Sequence, residues 1–418
     1  MRFLSVIIIF LSTFSVEAQD ILRLEESYEL AEKNYPLARK VELLDTKTKA
    51  EVAEIRKDKL PSINLNAQAH YQSEVISFPF QLPNTTMEAP NNDQYRATLD
   101  VNQLIYKGRS VNARAALKEA ELKTIEQEVA VNLYQLKGRI NQLYFSVLLL
   151  QEQEILLLSK QEQLESQINE VETGVKYGAV LASSADVLRA EQLKIDQHLI
   201  QVRADRKKLR ENLATLLNIE IGEHVILEKP GTWEIELTEN NRPELELFDL
   251  KKQQLEASKE VISKSTVPSL SGFAQAGYGN PGLNMLENSF QDFYMVGLRL
   301  SWNVLDWGKN KEAKKALDIS QDIIEAEKES FLINNKMELQ EAENEILKME
   351  QTIETDNEIL ALREKVIKAS ASQLKNGVIT SSEYLTEFNK LFESKIDQKV
   401  HEIQLALARA NFKIAKGN

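Results

Sequence analysis

In the stretch Leu60-Pro61-Ser62-Ile63-Asn64-Leu65-Asn66-Ala67-Gln68-Ala69-His70-Tyr71-Gln72, side chains alternate with a period of two after the proline. Ile63, Leu65, Ala67, Ala69 and Tyr71 fall on one face, and Ser62, Asn64, Asn66, Gln68 and His70 on the other. That pattern predicts a strand with one apolar and one polar side over about 62–72. The stretch returns later in the chain. Leu60-Pro61-Ser62-Ile63 corresponds to Val267-Pro268-Ser269-Leu270, and Ala67-Gln68-Ala69-His70-Tyr71 to Ala274-Gln275-Ala276-Gly277-Tyr278, both 207 residues on.

The same spacing joins Pro36 to Pro243, after which it falls to 200 for Gly108 with Gly308 and Ala116-Leu117 with Ala316-Leu317, and to 199 for Tyr177-Gly178 with Asn376-Gly377. A constant offset followed by a clean step is the mark of a tandem duplication of about 200 residues. Each copy reads as helix, strand, loop, strand, very long helix, turn, helix. The opening helix of the first copy is expected over about 24–59, ending at Pro61. After a loop with Pro79, Pro83 and Pro90, a second strand is expected over about 94–106, with Tyr95, Ala97, Leu99 and Val101 opposite Arg96, Thr98, Asp100 and Asn102. The second copy carries the matching pair at about 269–279 and 292–305.

Between Gly108 and Gly174 only Gly138 interrupts the chain, and Leu133, Leu136, Ile140, Leu143, Val147 and Leu150 step by threes and fours, a coiled-coil seam. About 65 residues at 1.5 Å each make a rod of about 100 Å, far longer than a globular helix. Its counterpart, about 309–375, holds neither Pro nor Gly. Return helices are expected over 184–217 and 381–414, with Gly174, Gly178 and Gly377 at the turns.

Composition narrows the function. The 418 residues include no cysteine, which excludes thiolate chemistry, and four scattered histidines, from which no histidine metal cluster is expected. With 64 acidic against 51 basic residues the net charge of −13 argues against nucleic acid. Charged residues at 28% exclude a polytopic helical membrane protein. Arg2, the apolar run Phe3–Phe14 and Val16-Glu17-Ala18 read as a secretory signal over 1–18. The run is shorter than the roughly 20 residues a spanning helix needs. Removal of Arg2 and Glu17 together leaves the charge at −13, and without cysteine no lipid can be attached at the new terminus. An exported, non-lipidated protein is expected.

Four amphipathic strands per chain cannot close a barrel alone, and open edges are not tolerated in lipid. Three chains would supply twelve strands, an allowed number, each about long enough to cross a bilayer at a tilt. Tyr71, Tyr95, Tyr106, Tyr278, Phe293, Tyr294, Trp302 and Trp307 lie near strand ends, where an interfacial aromatic girdle belongs. On periodicity alone a soluble β-layer with aromatic edges stays open.

The chain resembles the TolC-like outer-membrane efflux family over about residues 21–416. The resemblance rests on Leu30-Ala31-Glu32-Lys33-Asn34-Tyr35-Pro36, Leu60-Pro61-Ser62-Ile63, Ser301-Trp302-Asn303-Val304-Leu305-Asp306-Trp307-Gly308, Gly178 through Asp186-Val187-Leu188-Arg189-Ala190-Glu191, and Asn376-Gly377-Val378-Ile379-Thr380 through Glu383. It implies a mainly α chain with a β membrane part: a homotrimer whose twelve-stranded outer-membrane β-barrel continues into a periplasmic α-helical coiled-coil tunnel. It further implies a periplasmic adaptor and an inner-membrane pump as partners, in a system that passes small molecules to the exterior. The organisation expected is repeat 1 over 19–217, a belt over 218–243 with short β-like runs at 225–227 and 233–237, and repeat 2 over 244–418.

The resemblance also implies acidic rings at the periplasmic tip, and the matching positions are Asp186 and Glu383, with Glu387 one turn on. Eight residues separate Gly178 from Asp186 and six separate Gly377 from Glu383, so the hairpins are not symmetric in this respect. The competing reading pairs these carboxylates with Arg189, Lys375 or Lys390. No enzyme site or cofactor is expected, since abundant carboxylates on long helices are solvated faces or ion-pair partners. Asn84-Thr85-Thr86 fits a glycosylation pattern but is discounted in the bacterial setting implied. Two other functions stay open: a one-step protein-secretion channel, and a periplasmic coiled-coil scaffold without a pore.

Overall fold

Pro36 sets the first boundary. The computed structural model describes residues 21–76, 89–178, 180–231 and 240–418. In it the order is β1 (Ile21–Leu22), α1 (Leu24–Asn34), α2 (Arg39–Lys57), β2 (Ser62–Tyr71), β3 (Asp93–Tyr106), α3 (Ser110–Lys176), α4 (Ala182–Leu217), β4 (Ile226–Leu227), α5 (Pro243–Ser263), β5 (Ser269–Asn280), β6 (Gln291–Ser301), α6 (Lys309–Lys375) and α7 (Ser381–Lys416). The single opening helix expected over 24–59 is therefore broken. Pro36 cannot donate to the helix, it holds Tyr35 extended at ψ 133°, and a 3-10 turn over Pro36–Ala38 restarts the chain. Its counterpart Pro243 is the first residue of α5, where the missing N–H is harmless. The signal segment 1–18, Pro79, Pro83, Asn84-Thr85-Thr86 and the run 233–237 lie outside the described residues.

By its contacts the chain divides into two compact units, one of Met1–Ala38, Asn132–Arg242 and Ile333–Asn418, the other of Arg39–Val131 and Pro243–Leu332. The second unit holds an antiparallel sheet in the order β2-β3-β5-β6. Its ladders put Leu65, Leu99, Ala276 and Tyr294 in one row. The fourth strand ends at Ser301, not near 305. Ser301 pairs with Ser269, the first residue of β5, and Pro268 before it has no N–H to extend the ladder. The chain then turns into α6 through left-handed Trp307 and Gly308, with the Asp306 carboxylate accepting from the amides of Gly308 (3.0 Å) and Asn310 (3.1 Å). At the matching turn into α3, Gly108 has φ +53°, and a Cβ there would stand 2.5 Å from Val267 Cγ1. Glycine is required on both counts.

Helices α3 and α6 are each 67 residues long. Their first parts belong to the unit with the sheet and the remainder to the other. In that other unit, the seam expected along α3 appears as buried Leu136, Ile140 and Val147 with Leu133 and Leu143 partly covered, but Tyr144, Phe145 and Leu148 widen it into a broad face. Packed against it are Leu24 and Ala31 of α1, Leu213 and Leu217 of α4, and Ile403 and Ala410 of α7. Leu227, between α4 and α5, joins this core, and its strand β4 runs parallel to β1. The Tyr144 hydroxyl lies between the carbonyls of Leu22 (2.8 Å) and Glu228 (2.7 Å), tying α3 to the strand pair.

Candidate functional site

The sheet separates its side chains cleanly. One face carries Ile63, Leu65, Leu99, Val101, Val296, Leu298 and Leu300, and within the described residues nothing covers most of it: Leu65 is 77% exposed, Val296 70% and Leu298 69%. The opposite face carries Asn64, Asn66, Asp100, Asn102, Gln275 and Arg299, which line a cavity of about 540 Å³. On that face Asp100 accepts from Gln275 Nε2 (2.5 Å), Asn66 Nδ2 (2.8 Å) and Thr98 Oγ1 (2.9 Å).

The predicted aromatics divide by position. Tyr71, Tyr95, Tyr278 and Tyr294 share the apolar face toward the end where β2 leads to β3, all exposed. Tyr106 closes β3 at the other end. Just past β6, the Trp302 indole donates to the Thr266 carbonyl (3.0 Å), and Trp307 is 89% exposed in the turn before α6. Phe293 departs from its expected place. Adjacent residues of a strand point to opposite faces, so with Tyr294 on the apolar side Phe293 lies on the polar one, 9% exposed, with the Arg96 guanidinium 5.6 Å from its ring centre. An aromatic outside the predicted set joins the first group: Phe290 stacks between Tyr95 (6.2 Å) and Tyr278 (5.5 Å). No strand periodicity marked it, because it precedes β6.

In the other unit the two helical turns meet in one cluster. Leu164, Ile168 and Val171 of α3, Leu188 and Ile195 of α4, and Leu374 of α6 surround Tyr384, Phe388 and Phe392. The last three repeat every four residues and so share one face of α7, a signal already present in the sequence. Gly178 and Gly377 take φ +72° and +68°, and each stands four residues before the next helix begins. The turns are therefore equal in length, and the three candidate acids occupy different helical positions. Asp186 is the fifth residue of α4, whereas Glu383 and Glu387 are the third and seventh of α7.

Their surroundings differ too. Glu383 closes a capping box: its carboxylate accepts from the Thr380 amide (2.8 Å) and hydroxyl (3.0 Å), and the Thr380 hydroxyl accepts from its amide (3.2 Å). The Thr380 amide first, then the hydroxyl, hold this carboxyl below the usual carboxylate range. Glu387 pairs with Lys390 (2.7 Å) and Arg363 (3.2 Å), and Lys390 chiefly lowers its pKa. Asp186 is exposed and ion-paired to nothing among the described residues. Arg189 instead meets Glu172 (2.5 Å) and Lys375 meets Glu170 (2.8 Å). Among the described residues no group of three His, Asp or Glu could hold a metal, and no helix is long and apolar enough to cross a membrane.

The family model described as "Outer membrane efflux protein" matches residues 27–219 and 235–415. Among solved structures, the outer membrane protein VceC from Vibrio cholerae is similar at TM-score 0.68 and 14% identity, over 94% of this chain and 96% of that one. The open state of the Neisseria gonorrhoeae MtrE outer membrane channel gives 0.67 and 15%, over 95% and 89%. The Campylobacter jejuni CmeC outer membrane channel gives 0.65 and 15%, over 94% and 85%. At such identities the likeness speaks for the fold. No curated protein matches the chain in sequence.

Proposed function

The chain belongs to the outer membrane efflux protein family, and on that premise we propose that it is the outer-membrane duct of a tripartite export system. Three copies close a twelve-stranded barrel, and their long helices form a periplasmic tunnel that meets an adaptor and an inner-membrane pump. Small molecules pass through it without bond chemistry. Residues 1–18 direct export and are removed, and no lipid is attached. The units proposed remain repeat 1 over 19–217, the belt over 218–243 and repeat 2 over 244–418.

The observation that carries this reading is the sheet. Its exposed apolar face suits lipid, its other face suits water, and its outer strands β2 and β6 each have a single neighbour among the described residues. Such edges invite pairing with another chain, and in a bilayer they demand it. The exposed Ile319, Ile323, Ile333 and Met337 along α6 offer a second contact for the neighbouring copies.

At the tip, we assign the constriction to Asp186, Glu383 and Glu387, each forming a ring of three that favours cations. Asp186 carries most of this role, because Glu383 is engaged by Thr380 and Glu387 by two cations. Tyr71, Tyr95, Tyr278 and Tyr294 anchor one interface, and Tyr106, Trp302 and Trp307 the other. The test is the mass of the detergent-solubilised protein together with its conductance in planar bilayers. A trimer with a small cation-preferring pore is expected. A monomer that washes from membranes without detergent refutes the duct. A trimeric pore whose cation preference survives Asp186→Asn with Glu387→Gln refutes the gate assignment alone.

A further inference from the structure

In a chain of net charge −13, the polar face of the four-stranded sheet carries two positive side chains, Arg96 and Arg299, against one negative, Asp100. The charges do not neutralise one another. Asp100 is satisfied by the neutral groups of Gln275, Asn66 and Thr98. Among the described residues neither arginine is ion-paired with a carboxylate, and Arg96 makes only a long bond to the Gly282 carbonyl (3.4 Å).

Both guanidiniums are nevertheless held in place by the same three-layer arrangement. Arg96 lies 5.6 Å from the ring centre of Phe293, and Phe293 sits directly across the ladder from Gly277. Arg299 lies 5.2 Å from the ring centre of Phe273, which sits directly across from Gly297. At Gly297 a Cβ would stand 2.8 Å from the Phe273 ring, and at Gly277 it would overlap the Phe293 ring, so both glycines are needed to seat the aromatics. Each ring in turn supports a cation over its face. Arginine restrained in this way keeps its donor fork ready for an oxyanion at reduced entropic cost. On β5 the two sites correspond to Gly279 and Ser271, eight residues apart, or about 27 Å along the strand at about 3.4 Å per residue.

We infer that Arg96 and Arg299 form two levels of oxyanion-binding forks along the duct, which pass small organic anions bearing carboxylate or sulfonate groups through the barrel. This rests on the duct reading, in which the polar face lines water and each arginine becomes a ring of three. Cations would then be favoured at the acidic tip and anions within the barrel, so the two ends of one conduit carry opposite fields.

The experiment compares reversal potentials of trimers in planar bilayers under a KCl gradient and under a potassium benzenesulfonate gradient. Arg96→Gln with Arg299→Gln takes six positive charges off the lumen wall of the trimer and is expected to raise the cation-to-anion permeability ratio about threefold. Arg96→Lys with Arg299→Lys keeps the charge but not the fork. It is expected to preserve the chloride ratio while lowering benzenesulfonate permeability relative to chloride. Far-UV circular dichroism and trimer mass confirm that both variants fold. Gln variants that conduct normally with unchanged ratios for both anions overturn the inference and leave the duct intact. A wild-type trimer that carries no current removes the duct and this inference with it.

Discussion

Val296→Arg distinguishes a lipid-facing sheet from a water-facing one. Val296 is the sixth of the eleven residues of β6, on the apolar face and 70% exposed within the chain. Eleven residues at about 3.4 Å span about 37 Å, and tilted by about 45° they rise about 26 Å, close to the apolar band of a barrel of about 25 Å. Val296 would then lie near the bilayer midplane, where an arginine costs about 2–4 kcal/mol per chain. That is about 30- to 700-fold in the folding equilibrium, at 1.4 kcal/mol per decade. In water the same exposed substitution would change stability by no more than about 0.5 kcal/mol. Met295→Arg supplies the internal control, since its side chain points to the polar face one residue away. Urea titrations of folding into lipid vesicles measure both. A large loss for Val296→Arg beside a small one for Met295→Arg is expected. Equal effects at the two positions would show that the faces do not see different solvents, and the lipid assignment would fall.

Three further outcomes follow from the packing. Phe388→Ala empties a fully buried site beside Tyr384 and Phe392, a loss of about 3–5 kcal/mol. Hydrogen exchange should accelerate around Gly178 and Gly377 while the amides near Leu227 keep their protection. Gly297→Ala should cost about 1–3 kcal/mol by displacing the Phe273 ring, and a double-mutant cycle with Phe273→Ala should recover most of it. Glu402 of α7 pairs with Lys229, which follows β4 (2.7 Å), and with Lys399 on its own helix (3.0 Å). Burial alone would raise its pKa, but the two lysines outweigh burial and the carboxyl ends below its usual range. Its contribution is therefore present above the unfolded carboxylate pKa and is lost as pH falls through the folded one. Glu402→Gln should lower Tm at pH 7, and the gap to wild type should close on acidification.

Local rules in the sequence determined the repeating units of this protein. Period-two alternation in Ser62–Tyr71 and the scarcity of Pro and Gly along α3 and α6 dictate strand and helix directly, because each depends on neighbours a few residues away. The duplication was legible for the same reason, through Pro36 with Pro243 and Gly108 with Gly308. Pro36 also carried a break that the 3.6-residue pattern on either side concealed. Tertiary structure decided what pairing controls. The end of β6 at Ser301 follows from where β5 begins, and the place of Phe293 follows from Gly277 across the ladder and Arg96 above it. The equal turns at Gly178 and Gly377, which place Asp186, Glu383 and Glu387 at different helical positions, required knowing where α4 and α7 begin. Cross-strand neighbours lie tens to hundreds of residues apart in the chain, as do ion-pair partners such as Glu402 and Lys229. Only the register of the ladders brings Arg96 to Phe293, and both arginines of the polar face stand without a carboxylate partner among the described residues.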